Sequence, residues 1–260
     1  MKYYQIFLTI ILFYIGYFSL YFLIGYSLSI LEERQVTENA YTSISSSLIL
    51  FLFVAFIYRY VTSASDSSDI KLNKKLHIFL YIILINFLLF FASDFIYNFY
   101  FIIGHYDLPV SQEASSPSII KMVNSIILTP LMEEVFFRGI LLALVIKYSE
   151  KQVAAVILVS VLYAVDHLNY YHILDSLPHA FVMFFTGMIS GYIFLKTKNI
   201  IFPVMFHIFY NFNAYLLDVF REEYSNIIKA LDFDMNYWLL VTMALLLLVY
   251  VLKSFATKIE

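Results

Sequence analysis

The chain has 260 residues, of which 62% are hydrophobic, 20% aromatic and only 13% charged, against roughly 25% charged in a soluble domain. A soluble fold of this length has no interior large enough for so much apolar surface, so the composition excludes that class. It predicts an all-α, polytopic membrane helix bundle occupying residues 1–260 as a single integral membrane domain. The net charge of −3 does not single out a partner, and the absence of cysteine excludes disulfides, thiolate metal ligands and a cysteine nucleophile.

One crossing of a hydrocarbon core about 30 Å thick takes roughly 20 helical residues. Apolar runs at 4–30, 44–62, 77–104, 119–146, 153–167, 178–195, 200–220 and 237–252 therefore predict about eight transmembrane helices. The first run is too long for a cleavable signal segment and reads as a retained helix. The run at 119–146 is expected to tilt or break at Pro130. The run at 153–167 is short, and a longer reading carries it through Leu168 to Ile173. Polar stretches at 32–43, 63–76, 105–118 and 221–236 read as connectors.

Basic residues orient the set, because Lys and Arg in short loops stay on the cytoplasmic side. Lys2, Arg59, Lys71, Lys74, Lys75, Lys147, Lys151, Lys196, Lys198, Lys253 and Lys258 fall on one side; Arg34, Arg221 and Lys229 fall on the other. Both termini are thus expected in the cytoplasm. There is no Gly-rich phosphate loop and no basic face with interleaved aromatics, so no nucleotide or nucleic-acid partner is expected. The expected partner is membrane lipid, met by the many Tyr and Phe side chains. Nothing specifies an oligomeric state.

Ionisable side chains inside a span are costly and usually face a bundle interior or a wet cavity. The fourth run carries Glu133 and Glu134 followed by Arg138. Glu134 and Arg138 stand one helical turn apart on a shared face, whereas Glu133 is rotated by about 100°. Glu134 and Arg138 read as an architectural ion pair, which leaves Glu133 to act as a general base towards water. The fifth run ends in Tyr163 and His167, and the seventh carries His207 and Asn211, each pair spaced i, i+4. Counted at 1.5 Å per residue from the inner side, Glu133 and His167 lie about 21 Å deep, Asn211 about 17 Å and His207 about 11 Å, so their depths overlap.

Taken singly, these residues have plainer readings. His207 alone is a hydrogen-bonded core histidine, Asn211 an interhelical hydrogen-bonding residue, and His167 an interfacial histidine at a span end. Their convergence with Glu133 outweighs those readings. His172 and His179 flank one outer loop and read as interfacial, Asp94 and Asp166 are weaker candidates, and Lys121 is placed to snorkel.

On these residues the chain resembles the CAAX-protease and bacteriocin-processing family of intramembrane endopeptidases, which includes the type II prenyl endopeptidases. The family pattern E-E-x-x-x-R, F-x-x-x-H and H-x-x-x-N finds Glu133, Glu134 and Arg138, then Tyr163 and His167, then His207 and Asn211, in order and inside apolar runs. Tyr163 departs from the usual Phe and adds a hydroxyl that needs a partner. The motif-bearing core covers about 119–213.

The resemblance implies hydrolysis of a peptide bond in a membrane-associated peptide or protein, whether or not the substrate is prenylated. Glu133 and His167 would activate water, and His207 and Asn211 would hold the oxyanion. Glu134, Arg138 and Tyr163 would support the site or orient the substrate. Zinc, where a metal is used, would sit on Glu133, His167 and His207 with an open fourth position. H-E-x-x-H is absent, however, and the preferred reading has no obligatory metal.

The Ile, Phe, Tyr, Asn and Lys bias resembles that of AT-rich bacterial genomes, which points to a bacterial cell membrane. Relatives there are linked to peptide maturation, export and bacteriocin self-immunity. The alternative functions are a non-catalytic scaffold or bacteriocin self-immunity protein of the same fold, and an ion or proton carrier. A carrier would more naturally show broken helices in matching halves, and the sequence has no such symmetry.

Overall fold

The computed structural model describes residues 72–104, 122–149, 151–220 and 235–259, and every element in them is helical. The spans expected at 4–30 and 44–62, like Lys121, lie outside the described residues. Seven α-helices are used below: α1 (Leu72–Gly104), α2 (Thr129–Glu134), α3 (Ala143–Ser149), α4 (Gln152–Asp166), α5 (Ile173–Thr197), α6 (Ile201–Val219) and α7 (Met235–Ile259). Two π-helical segments, Asn124–Leu128 and Val135–Leu142, flank α2. The chain divides into two compact units, Met1–Asp66 with Ser116–Val159, and Ser67–Ser115 with Ser160–Glu260.

In the first unit, helix runs without interruption from the first π segment to the end of α3. Pro130 therefore does not break it. Lacking an N–H, Pro130 cannot close a normal α-helical bond, and the ladder widens just before it: the N–H of Thr129 bonds the carbonyl of Asn124, five residues back. Pro130 then occupies the first turn of α2, where its missing donor costs least. Every residue of the second π segment is buried, Phe136, Phe137, Ile140 and Leu141 almost completely. A π turn holds more residues than an α turn, so the depth of about 21 Å expected for Glu133 at the α-helical rise is an upper figure.

In the second unit, α1 packs against α7, α6 and α5, and α5 packs against α6 and α7. Ile78, Ile82, Ile85, Leu89 and Ala92 form one buried seam on α1 at alternating intervals of four and three. Leu76, Leu80, Ile83 and Phe87 on the same helix are exposed. On α7, Val241, Leu248, Val251 and Phe255 point in, while Leu239, Leu246 and Val249 point out. Helices apolar all round and exposed on one side need lipid as the outer solvent.

Three helical stretches are long and apolar enough to cross a membrane: Lys75–Ser93, Ile173–Thr197 and Tyr237–Lys258. Gln152–Asp166 and Ile201–Leu217 are shorter apolar helices. The described residues thus form part of a multi-pass membrane protein. Of the eight expected spans, these three meet the length criterion among the described residues.

Two connections decide where the polar side chains fall. α4 stops at Asp166 and does not run on to Ile173, because the N–H groups of His167 and Leu168 turn back to the carbonyls of Ala164 and Val165, three residues behind. α5 begins at Ile173, five residues ahead of the run expected at 178–195, with Pro178 inside it. α5 and α6 are joined by only Lys198, Asn199 and Ile200. Lys198 caps α5 in the left-handed region, with φ 51°, and its N–H bonds the Phe194 carbonyl at 2.8 Å. The Asn199 Oδ1 accepts the N–H of Ile201 at 2.9 Å, opening α6.

Candidate active site

In the first unit, Glu133 and Glu134 are the last two residues of α2, immediately before the second π segment. Glu134 is buried, and its Oε1 lies 3.0 Å from Nη1 of Arg138, with both side chains 1% exposed. The two charges neutralise each other where neither meets water, so the pair expected from i, i+4 spacing forms, although Arg138 sits in a π and not an α turn. The Arg138 guanidinium also lies 5.8 Å from the ring centroid of Phe137. Glu133 is half-buried and differs in environment from its neighbour.

In the second unit, Tyr163 brings both histidines together. Its side chain is fully buried near the end of α4. The Tyr163 hydroxyl is 3.4 Å from Nε2 of His207 on α6, and the ring of His167 lies 4.4 Å from its own, centroid to centroid. The hydroxyl that distinguishes this residue from Phe therefore has a partner. His167 Nδ1 is 2.8 Å from the Tyr163 carbonyl. A carbonyl only accepts, so the proton is on Nδ1 and the lone pair of the neutral ring is on Nε2. One residue thereby fixes the ring orientation of His167 through its backbone and contacts His207 through its side chain.

His207 is buried, and Asn211 follows one turn later on α6, half-buried. His179, on α5, has its ring 5.8 Å from that of His167. His172 is exposed, with Nδ1 3.8 Å from the exposed carboxylate of Asp175.

The close approach beside Tyr163 depends on Gly187 of α5. A Cβ there would stand 3.2 Å from both the Ser160 Cβ and the Tyr163 Cδ1. Spacing arguments did not reveal Gly187, nor Asn86 of α1, whose buried side chain reaches the helix that carries His207.

A zinc ion needs three protein ligands and an open position. In the second unit the His167 and His207 rings each have one nitrogen within hydrogen-bonding distance of Tyr163. Among the described residues no three His, Cys, Asp or Glu side chains converge as a metal-binding set. No step below is routed through a metal.

Residues 115–213 match the family model described as type II CAAX prenyl endopeptidase, Rce1-like. The matched segment contains all seven motif residues from Glu133 to Asn211. Neither a curated protein nor a solved structure matches the chain.

Proposed function

We propose that the protein is an intramembrane endopeptidase of the CAAX type, hydrolysing a peptide bond in a peptide or protein that reaches the bilayer. The observation that carries this reading is the junction at Tyr163, where histidines from two helices meet in a buried setting inside the segment matched to the prenyl endopeptidases. A buried architectural histidine needs one hydrogen-bonding partner. Two such rings oriented by one residue, in a chain that also carries a buried Glu134–Arg138 pair beside Glu133, suit catalysis better than packing.

The chemistry follows from the residue types. Glu133 takes a proton from water as the oxygen attacks the peptide carbonyl, and His167 accepts a hydrogen bond from that water at Nε2, its Nδ1–H being held by the Tyr163 carbonyl. The carbonyl π electrons move to oxygen, and the resulting oxyanion is met by donors from His207 and Asn211, a contribution commonly worth about 3 kcal/mol per donor. The C–N bond then breaks as the proton held by Glu133 passes to the leaving nitrogen, giving a carboxylic acid, which keeps the second water proton, and an amine. Glu134 and Arg138 keep the α2 region neutral and oriented. No obligatory metal enters this scheme.

The test is reconstitution of the purified protein in liposomes with candidate membrane-associated peptides, prenylated and not. Glu133→Ala, His167→Ala and His207→Ala are compared with the wild type. Each is expected to lower kcat at least a hundredfold with insertion unchanged. Cleavage that survives Glu133→Ala would sink the mechanism. Turnover that persists in a sample shown by elemental analysis to be metal-free would exclude obligatory zinc.

A further inference from the structure

Asn86 is the most buried polar side chain among the described ones on α1, at 1% exposed, and it lies outside every motif and outside the segment 115–213. Its Nδ2 donates to the carbonyl of Phe206 at 2.6 Å, and its Oδ1 accepts from Nδ2 of Asn213 at 3.0 Å. Both partners are on α6, seven residues apart and hence on one helical face. They bracket His207 and Asn211. Asparagine commonly joins helices in membranes, but two anchors two turns apart do more than join: they fix both the rotation and the slide of α6 against α1.

The geometry points to Asn86 as a positioning residue for the proposed oxyanion donors. On an α-helix His207 stands about 100° round from Phe206 and Asn211 about 140°. Any rotation of α6 about its axis therefore swings both side chains together. A catalytic constellation tolerates misplacement of only about 0.5 Å or 10–20°, and a shift of about 1 Å can cost a hundredfold in rate. Nearby ring contacts, Phe79 with Phe209 and Phe90 with Tyr210, resist separation of the two helices. Rings tolerate sliding, whereas the paired amide bonds define a register.

This inference rests on the peptidase reading for its consequence but not for its geometry, so the test has two arms. The chain has no cysteine, which allows spin labels to be placed at exposed Leu80→Cys on α1 and Ile201→Cys on α6. Electron–electron distance measurements in liposomes are expected to give one narrow distribution, which Asn86→Leu broadens or shifts. Asn213→Leu, which removes only the second bond, is expected to do so less.

In the activity arm, Asn86→Leu is expected to lower kcat about tenfold and Asn213→Leu about threefold, with KM within twofold and thermal midpoints in detergent within a few degrees. The double variant should match Asn86→Leu alone. An unchanged distance distribution in Asn86→Leu overturns the proposal, as does a kcat loss that merely tracks loss of folded protein. A wild type that cleaves nothing defeats the peptidase reading, while the distance arm still decides whether Asn86 sets the register.

Discussion

At the level of single residues, Tyr163 is the position where this chain differs from the pattern of the family it resembles and where the difference has a physical outlet. A hydrogen bond of this kind contributes about 1 kcal/mol, and 3.4 Å is at the long end for one. Tyr163→Phe is therefore expected to leave the protein folded, lower kcat about threefold to fivefold and leave KM unchanged, as read from steady-state cleavage in liposomes. A larger loss would mean that the hydroxyl touches the reacting atoms. The pairing of Glu134 with Arg138 and the alignment of Tyr163 with His167 were legible in the sequence because each is set within one helical turn. Asn86 was not: its partners are 120 and 127 residues away, and a single polar residue in an apolar run gives no indication of what it will meet. The approach of His179 to His167 was not legible either, since it depends on where α4 turns, not on its own neighbours.

Among the described elements, helix existence was legible in the sequence and helix character was not. The run at 119–146 is helical over its described part, 122–146, but Pro130 widens the ladder upstream and does not break it. No periodicity in an all-apolar stretch distinguishes a π turn from an α turn. Gly187 shows the same limit, since a glycine in a span reads equally as packing or as accident until its neighbour is known. Gly187→Val would press on the Ser160 Cβ and on the Tyr163 ring, and overpacking of this kind costs typically 1–3 kcal/mol. The expected result is a lower thermal midpoint in detergent together with reduced cleavage, whereas Met188→Leu, one residue further along α5 and conservative in volume, should change neither. Equal effects of the two would show that the approach beside Gly187 is not tight.

For the whole molecule, the charge bias makes a prediction about orientation that α5 can test. This helix of 25 residues is about 37 Å long, enough to cross a core of about 30 Å. Tyr171, before it, is 94% exposed, and Lys198, after it, is exposed as well. In a cysteine-free background, Tyr171→Cys is expected to react with an impermeant maleimide in intact cells, and Lys198→Cys only after permeabilisation. The reverse pattern would place both termini outside. The short link at Lys198 also bears on how the protein reaches the membrane. Three residues keep the end of α5 within about 14 Å of the start of α6, so the two are expected to pair as one hairpin. His179 and His207, each costly for an isolated helix to carry into lipid, then have a neighbouring helix at hand, and the left-handed backbone of Lys198 is expected to set where that pairing begins.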